Sequence, residues 1–280
     1  MRIIVTGYPG LLSLDLVPIL QAAGHEVVPF TIGELDITGK EAVFRTLENI
    51  APEVLINCAG YTAVDQAEGE WEAVFRANTL GVHHLALACD LFKIVLCQIS
   101  TDYIFDGQKR SPYLPWDLPQ PLNVYGASKL AAEFLVEKLL NRFYIVRTSS
   151  LYGKHGNNFV RTILEKAGEG NPLSIVCDQM MSPTWSVNLS QGLLRIIDSG
   201  NFGVYHVSDR TEGGVSWYDF AQAVFKIKGL EQEIIPLYCR ELNRPAPRPS
   251  YSVLDTRYLT MATGYEPLHF QEALERFLND

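Results

Sequence analysis

The sequence of 280 residues predicts an α/β fold whose core is a doubly wound parallel sheet. In the first half, short apolar runs alternate with helical patterns, and each run is continuous in its apolar character. Strands of that kind are buried on both faces, as in a parallel sheet that helices cover. The right-handed crossover rule then places helices on both sides of the sheet. After about residue 152 the alternation fades, which predicts a smaller and less regular C-terminal part.

Several strands and helices are predicted in the first half. The strands are expected at 2–7, 25–30, 53–60, 93–100 and 143–149, and the helices near 10–23, 39–50, 69–91 and 124–141. The first strand, RIIVTG, ends in glycine, which is typical of a tight strand-to-helix turn. Pro18 lies inside the first helix, where its missing N–H predicts a kink.

Fewer elements are predicted in the second half. Helices are expected near 157–167, 186–198, 216–228 and 268–278, and strands at 173–178 and 203–209. Three prolines within 243–255 argue against a helix there and favour an extended segment with turns. We therefore predict a nucleotide-binding domain over 1–152, to which 186–209 returns, and a smaller substrate-binding domain over 153–280. A cleft is expected between the two domains.

Composition and charge exclude several classes of protein. The formal net charge is −9, whereas a general nucleic-acid binder needs a basic face, so no nucleic acid is expected as a partner. No apolar run reaches the roughly 18 residues that a membrane span requires, so no membrane is expected either. The five cysteines form no C-x-x-C pair, and the six histidines show no metal-ligand spacing. We therefore predict no metal site and a reducing, cytoplasmic location.

The segment VTGYPGLLS follows the first strand and opens the first helix. Gly7 and Gly10 permit a tight turn there and let backbone N–H groups approach a pyrophosphate at the helix N-terminus. Two glycines can equally form a structural turn, although their position in a first βα unit favours a dinucleotide. The second strand ends at Phe30-Thr31, where neither a carboxylate nor an arginine is expected. Asp36 is the next carboxylate able to reach the adenosine, unless it is an ordinary loop aspartate.

Tyr125 and Lys129 lie four residues apart in NVYGASKLAAEFL, and a helical pattern places both on one face. A free tyrosine has a pKa of about 10, which suits proton transfer at neutral pH poorly. A nearby ammonium stabilises the phenolate, so Lys129 is expected to lower that pKa. Lys129 can also bond the ribose of a nicotinamide cofactor. A Y-x-x-x-K spacing alone is more often two surface residues.

The segment STDYIFDG ends the fourth predicted strand, and the carboxyl ends of strands line the ligand crevice of a doubly wound sheet. Ser100 and Thr101 offer hydroxyls there that can hold a substrate carbonyl oxygen beside the phenol. Asp102 can fix a hydroxyl or the loop itself, and a capped loop is the alternative interpretation of the segment. Together with the glycine turn and the Tyr/Lys pair, the segment predicts hydride transfer with tyrosine as the general acid.

These motifs resemble the extended short-chain dehydrogenase/reductase superfamily and, within it, the dTDP-4-dehydrorhamnose reductase family. The matching segments follow in order over nearly the whole chain and include TGYPGLL, LDITG, VLINCAGYTAVDQAE, ISTDYIFDG, PLNVYGASKLAAE, RTSSLYG, DQMMSPTW and RPAPRPSYSVLD. The resemblance implies a Rossmann fold and an NAD(P)H-dependent oxidoreductase that acts on a nucleotide-sugar. The expected reaction converts dTDP-4-dehydro-L-rhamnose into dTDP-L-rhamnose, a step of carbohydrate biosynthesis. NADPH is the expected cofactor, and NADH is the alternative.

The resemblance also implies a role for each matching residue. The implied cofactor contacts are Gly7, Gly10, Leu11, Leu12, Asp36, Ile37, Gly60, Tyr61, Thr62, Tyr125 and Lys129. Tyr125 is implied as the proton donor, Lys129 as the residue that holds the nicotinamide ribose, and Thr101 as a residue that tunes the tyrosine. The implied substrate contacts are Thr101, Asp102, Ser150 and Arg248.

Some positions depart from the family pattern. Ser150 stands where tryptophan is common, and Met180-Met181 replaces a turn that contains glycine. Asp15 can stand for one acid of a magnesium-linked dimer found in some members, but no convincing set accompanies it. Two alternatives therefore stay open: another extended short-chain sugar-nucleotide enzyme, such as an epimerase or dehydratase, and a non-catalytic regulatory subunit like the methionine adenosyltransferase beta subunit. A monomer or a homodimer is expected.

Overall fold

The computed structural model describes residues 1–279 of the chain. Within them the strands are β1 (Arg2–Thr6), β2 (Glu26–Phe30), β3 (Val54–Asn57), β4 (Val95–Thr101), β5 (Phe143–Thr148), β6 (Leu151–Tyr152), β7 (Leu173–Val176), β8 (Met180–Met181), β9 (Thr184–Trp185), β10 (Gly203–His206), β11 (Val215–Ser216) and β12 (Ile234–Leu237). The helices are α1 (Leu11–Ala22), α2 (Lys40–Ile50), α3 (Val64–Ala67), α4 (Trp71–Phe75), α5 (Gly81–Phe92), α6 (Val124–Leu139), α7 (Phe159–Ala167), α8 (Ser186–Ser199), α9 (Trp217–Lys228), α10 (Arg257–Thr263) and α11 (Phe270–Asn279).

The central sheet has six strands in the order β10-β5-β4-β3-β1-β2, and every neighbouring pair is parallel. From β1 the chain first builds outward to β2 and then returns to the other side with β3. This reversal is the topological switch point, and ligands of such sheets bind at the carboxyl ends of the strands beside it. The predicted doubly wound α/β fold is confirmed.

Helices cover both faces of the sheet, and the alternation of side chains along β1 shows how. Ile3 and Val5 point into one apolar cluster, which α1 and α8 complete, whereas Ile4 points into a second cluster with α2, α5 and α6. All three side chains are fully buried. Successive residues of a strand face opposite sides, so a continuous apolar run is what a sheet buried on both faces requires.

The helix predicted over 69–91 is continuous but not uniform. It consists of α4, a π-helical segment at Arg76–Leu80 and α5. Such segments carry one extra residue per turn and are frequent at functional sites. Helix α1 continues through Pro18 from Leu11 to Ala22.

The second half adds a third apolar cluster, in which α7, α9 and α11 pack around β7 and β9. Helix α8 instead packs against α1, and β10 pairs with β5 at the edge of the main sheet. The division at residue 152 stays a prediction. Sequence reasoning missed α10, which has seven residues, and β12, whose Pro236 is unusual in a strand. Among residues 1–279, no helix combines the length and apolar character needed to cross a membrane.

Candidate active site

A large cleft opens at the carboxyl ends of the sheet strands and has a volume of about 1170 Å³. Its walls include residues 35–38 after β2, residues 58–62 after β3, the end of β4, the start of α6 and residues 148–151. The predicted site residues that line it are Gly7, Gly10, Leu11, Leu12, Asp36, Ile37, Gly60, Tyr61, Thr62, Thr101, Asp102, Tyr125, Lys129 and Ser150. Arg248 does not line it. The volume exceeds the roughly 300–1000 Å³ that suits a drug-sized ligand, so a larger molecule fits.

The glycine turn between β1 and α1 has a geometry that a larger residue would disrupt. Gly7 has a φ of +75°, and a Cβ atom on it would lie 2.6 Å from the backbone nitrogen of Ala59. A Cβ atom on Gly10 would lie 2.7 Å from the carbonyl oxygen of Gly7. The Ser13 hydroxyl ties the turn together, because it accepts from the Gly10 N–H at 2.8 Å and donates to the Gly7 carbonyl at 3.0 Å. The turn at the N-terminus of α1 therefore fits a pyrophosphate.

The loop at residues 58–62 is held by Asn78, a residue that sequence reasoning missed. Its amide oxygen accepts from the Tyr61 N–H at 2.7 Å, and its amide nitrogen donates to the Tyr61 carbonyl at 3.1 Å. The same nitrogen donates to the Ser128 hydroxyl at 3.0 Å. Asn78 lies in the π-helical segment and is 1% exposed. In the sequence Asn78 stands between Arg76 and Thr79, so a polar residue there gave no sign of its burial.

The charged side chains at the end of β2 and in the cleft differ from the sequence prediction in two ways. A carboxylate does stand there, because Glu34 folds back and accepts from the Thr31 N–H at 2.9 Å and the Thr31 hydroxyl at 2.8 Å. These hydrogen bonds lower the pKa of Glu34. Arg76, at the start of the π-helical segment, is a second charged residue outside the sequence prediction, and it lines the same cleft as Asp36. The Asp36 carboxylate accepts from the Thr38 N–H at 2.9 Å, which is the loop role that sequence reasoning kept as its alternative.

Tyr125 and Lys129 face the cleft from the first turns of α6. The helix begins after Asn123, whose side chain caps it by accepting from the Gly126 N–H at 2.8 Å. The Thr101 side chain lies beside the Tyr125 phenol and acts to lower its pKa. Burial has the larger effect and raises the pKa of Tyr125 above its ordinary value. The phenol is therefore protonated at neutral pH and can act as a proton donor.

The sequence prediction that Lys129 lowers the pKa of Tyr125 is wrong for this arrangement. The ammonium does not bond the phenol; it donates to the carbonyl oxygen of Ile99 at 2.6 Å. Burial lowers the pKa of Lys129 to about 8, while the Glu133 carboxylate acts in the opposite direction. Lys129 is thus a buried cation at the end of β4, beside Gly60.

Both hydroxyls that the sequence offered at the end of β4 are engaged within the protein. The Ser100 hydroxyl donates to the buried carboxylate of Glu133. The Thr101 oxygen caps the following 3-10 turn by accepting from the Tyr103 N–H at 3.2 Å. Asp102 accepts from the Thr101 hydroxyl at 3.2 Å and from the Ser149 hydroxyl at 2.7 Å. Burial raises the pKa of Asp102 to about 6, although these hydrogen bonds oppose the rise.

Ser150 and the two methionines lie in different surroundings. Ser150 lines the cleft and has a φ of +47°, which is uncommon for a residue with a side chain. Its carbonyl accepts from the Thr184 N–H at 3.2 Å. Met180 and Met181 form the short strand β8, which pairs with β11 and does not line the cleft. The departure at Met180-Met181 therefore lies outside the cleft wall.

Arg248 is paired inside the protein instead of facing the cleft. Its guanidinium donates to both oxygens of Asp65, at 2.6 and 2.7 Å, and to the Ala246 carbonyl at 2.8 Å. Burial acts to lower the pKa of Arg248, but the Asp65 carboxylate and the neighbouring Tyr103 phenol raise it overall. The Tyr103 ring meets the Tyr125 ring edge-on at 6.1 Å between centroids. Arg248 is therefore one side chain removed from the proposed proton donor.

Asp15 lies on α1 and bonds neighbouring side chains. The Ser186 hydroxyl donates to it, and Nε2 of His155 lies 3.5 Å from its other oxygen. Within residues 1–279, no group of three or more histidine, cysteine, aspartate or glutamate side chains could hold a metal ion.

The comparisons with known proteins agree with this geometry. The family described as "RmlD substrate binding domain" matches residues 1–280. Among curated proteins, the chain is 36% identical over 279 residues to the spore coat polysaccharide biosynthesis protein SpsK of Bacillus subtilis, covering 100% of this chain and 97% of the relative. It is 37% identical over 288 residues to a dTDP-4-dehydrorhamnose reductase of Aggregatibacter actinomycetemcomitans, covering 98% and 97%.

Solved structures give the same result. A dTDP-4-dehydrorhamnose reductase of Clostridium acetobutylicum superposes with a TM-score of 0.96 and 37% identity, covering 100% of this chain and 99% of the other. The enzyme of the same name from Bacillus anthracis, solved in complex with NADP, also gives 0.96 and 37%, covering 99% and 98%. The predicted family is confirmed, because dTDP-4-dehydrorhamnose reductases resemble the chain over nearly its whole length. The chain belongs to the RmlD substrate binding domain family and is an oxidoreductase with the fold of the extended short-chain dehydrogenases.

Proposed function

We propose that the protein reduces the keto group of a nucleotide-activated 4-keto-6-deoxyhexose, with dTDP-4-dehydro-L-rhamnose as substrate and dTDP-L-rhamnose as product. The observation that carries the proposal is the meeting of Tyr125, Thr101 and Lys129 in a cleft that begins at a glycine turn. The relatives that share this chain over nearly its whole length are named for that reaction. When bound, the reduced nicotinamide supplies the hydride that the keto carbon receives.

The residues of the chain complete the reaction as follows. Tyr125, protonated at neutral pH, gives its phenolic proton to the oxygen of the former keto group, and Thr101 orients that phenol. Asp102, fixed by Ser149, accepts a hydrogen bond from a sugar hydroxyl. The Lys129 ammonium stands near the loop at 58–62, where it can bond the hydroxyls of a nicotinamide ribose.

The cofactor is held by the residues around the first three strands. Gly7, Gly10, Leu11 and Leu12 receive the pyrophosphate, Asp36 and Ile37 contact the adenosine, and residues 60–62 line the nicotinamide half. Their common position along one cleft supports these roles. The sugar nucleotide lies between residues 1–152 and the smaller domain over 153–280, with Ser150 on its wall. We place this reaction in the cytoplasm, where cysteines that form no disulfide within residues 1–279 stay reduced.

The proposed preference for NADPH rests on one cation of the cleft, the Arg76 guanidinium. Arg76 and Lys129 are the basic side chains that line the cleft, and Lys129 is committed to the Ile99 carbonyl. Arg76 makes no side-chain hydrogen bond or ion pair within residues 1–279, and it is exposed. Its guanidinium can therefore receive a 2′-phosphate. Glu34 would oppose that phosphate, but it does not line the cleft.

Steady-state kinetics of Arg76→Gln test this preference. The variant is expected to lose about tenfold in kcat/KM with NADPH and to change little with NADH, because only the 2′-phosphate loses a charged partner. Arg276→Gln, on the exposed face of α11, is the matched control and leaves both values unchanged. An equal loss with both cofactors would contradict the assignment of Arg76 to the 2′-phosphate.

The reaction itself is tested with purified protein, dTDP-4-dehydrorhamnose and NADPH. Absorbance of the reduced nicotinamide is expected to fall in proportion to the sugar nucleotide that is converted. A tightly bound cofactor that is recycled, as in an epimerase or a dehydratase, would give product without that fall. Cofactor binding without product would point to a regulatory subunit.

A further inference from the structure

Behind the cleft, a charged pair is buried between helix α6 and strands β4 and β5. Glu133 and Arg147 expose only 2% and 4% of their surface. The Arg147 guanidinium donates to the carboxylate through Nη2 at 2.7 Å and through Nε at 3.1 and 3.2 Å. The Ser100 hydroxyl donates to the same carboxylate. Both carboxylate oxygens are therefore satisfied by buried donors.

The other contacts of Arg147 keep the pair isolated from water. Its Nη1 atom donates to the Pro115 carbonyl at 2.9 Å and lies 3.4 Å from Nε2 of His206. Nδ1 of His206 lies 3.0 Å from the Tyr113 carbonyl, so a neutral ring with its hydrogen on Nδ1 satisfies both contacts. Burial and the Arg147 charge hold the pKa of His206 well below its ordinary value. Within residues 1–279, neither member of the pair has another charged partner at ion-pair distance.

Stability alone does not account for such a pair. Replacing a buried ion pair by apolar residues of similar volume is often neutral or stabilising, whereas removing one partner leaves an uncompensated charge. The surrounding clusters of the sheet are apolar and fully packed, so an apolar solution was open to this position. The location of the pair indicates what else it does.

The contacts between α6 and β4 follow a regular order. Tyr125, Lys129 and Glu133 are spaced four residues apart on one face of α6. Three consecutive residues of β4 contact these side chains. The Ile99 carbonyl accepts from Lys129, and the Ser100 hydroxyl donates to Glu133. The Thr101 side chain lies beside the Tyr125 phenol. Of these three contacts between α6 and β4, the one made by the Glu133 carboxylate lies furthest along the helix. Together the three contacts set where the Tyr125 phenol and the Lys129 ammonium point.

The carboxylate also has an electrostatic effect on the lysine. The titratable and charged groups around Lys129 are Tyr125 and Glu133 on its own helix, Cys58 after β3, Asp102 after β4, and Arg147 on β5. Burial lowers the pKa of Lys129 to about 8, and the Glu133 charge holds it from falling further. Burial raises the pKa of the Cys58 thiol to about 12, so that thiol carries no charge near neutral pH.

We propose that Glu133 is a positioning residue for the reduction: its carboxylate, balanced by Arg147, keeps the Lys129 ammonium charged and fixes α6 on the end of β4. This role rests on the proposed function, because a charged Lys129 matters only if it holds a cofactor ribose. A neutral amine would remain in the cleft but would bind the ribose hydroxyls more weakly. Activity should accordingly fall as the pH rises through the pKa of Lys129, and Glu133 sets where that fall begins.

Nuclear magnetic resonance on protein labelled with ¹³C at the lysine ε-carbon measures this pKa directly, without substrate or cofactor. The Lys129 signal is assigned by its loss in Lys129→Arg. In Glu133→Gln the Lys129 pKa is expected to fall by at least about one unit, because the carboxylate that raises it is removed and Arg147 is left unbalanced. In Glu133→Gln/Arg147→Met it is expected to return to within about half a unit of the wild-type value. An unchanged Lys129 pKa in both variants would overturn the proposal.

Two controls separate charge from packing. Glu137→Gln, four residues further along α6, should leave the Lys129 pKa within about 0.3 unit of the wild-type value, because distance and solvent weaken its field. Ser100→Ala should also leave the pKa unchanged while lowering kcat, because it removes an attachment and no charge. A shift as large in Glu137→Gln as in Glu133→Gln would contradict the assignment. If Glu133→Gln does not fold, the double variant is compared with wild type in the same titration, because it removes both members of the buried pair. A Lys129 pKa more than about one unit from the wild-type value would overturn the charge balance between Glu133 and Arg147.

The pH profile of kcat/KM connects the titration to the reaction. Its alkaline limb is expected to move down in Glu133→Gln by the same amount as the Lys129 pKa and to return in the double variant. A limb that stays in place while the pKa moves would overturn the role in catalysis. A wild-type protein that binds NADPH but converts no sugar nucleotide would refute the proposed function alone, since the titration needs no turnover.

Discussion

The helix side of the site (Thr101, Tyr125 and Lys129) and its loop side (Ser150, which lines the cleft, and Arg248, which is turned away from it) are built in different ways. On the helix side, neighbouring residues of β4 hold side chains spaced by one helical turn. On the loop side, Ser150 has a positive φ and Arg248 is turned toward Asp65. Regular elements thus fix the groups that carry the chemistry, whereas irregular backbone presents the groups that we assign to the substrate. We expect substitutions on the helix side to change kcat and those on the loop side to change KM.

The largest effect is expected for Tyr125→Phe on the helix side. Removing the phenolic proton should lower kcat by about 10²-fold or more, the usual range for a lost general acid. Cofactor affinity should stay within about threefold, because the hydroxyl has no part in the pyrophosphate site. Fluorescence titration with NADPH and steady-state kinetics measure the two quantities separately. Near-normal turnover would show that another group supplies the proton.

A smaller effect is expected for Arg248→Ala on the loop side. We propose that the phosphates of the sugar nucleotide attract the guanidinium away from Asp65, so the variant should raise the KM for the nucleotide-sugar about tenfold. Asp65→Asn frees the same guanidinium and should lower that KM. Kinetics at saturating NADPH provide the measurement. If both variants change KM in the same direction, the Asp65 pair has only a structural role.

The smallest effect is expected for Ser150→Trp. An indole at this position of the cleft wall should lower the KM for the sugar nucleotide about threefold through aromatic contact, and should leave the affinity for NADPH unchanged. Ser150→Gly is the matched control: it relieves the positive φ, adds no ring and should raise stability by about 0.5–1 kcal/mol. Unfolding in urea and steady-state kinetics distinguish the two. A change in NADPH affinity alone would place residue 150 on the cofactor side.

The sequence predicted the helix side better than the loop side for a physical reason. The spacing of Tyr125 and Lys129 and the strand-end position of Thr101 follow from helical and parallel-sheet periodicity, which a single sequence displays. The partner of Arg248 does not follow from it, because Asp65 lies 183 residues away. The contact between Lys129 and the Ile99 carbonyl could not be predicted either, because every residue has a backbone carbonyl and the sequence pattern does not show which one is used.

At the cofactor end of the cleft, too, the sequence predicted some residues and missed others. Gly7 was predicted from its place after the first strand, and the structure adds the reason, a positive φ and the close approach of Ala59. Glu34 was missed because its carboxylate reaches the end of β2 by folding back three residues, a local turn that periodicity does not reveal. Arg76 was missed because the π-helical segment sets its orientation, and the helical pattern gave no sign of that segment.

The central claim, that hydride passes directly from the nicotinamide to the keto carbon in this cleft, is tested most directly by isotope transfer. Purified protein is incubated with dTDP-4-dehydrorhamnose and NADPH that carries deuterium at C4 of the nicotinamide, and the product is analysed by mass spectrometry. Because both C4 positions of the nicotinamide are labelled, the product is expected to be a dTDP-deoxyhexose that has gained one deuterium at C4 of the sugar, formed in proportion to the NADPH consumed. A product without deuterium, or a sugar nucleotide altered while NADPH remains unconsumed, would contradict the claim.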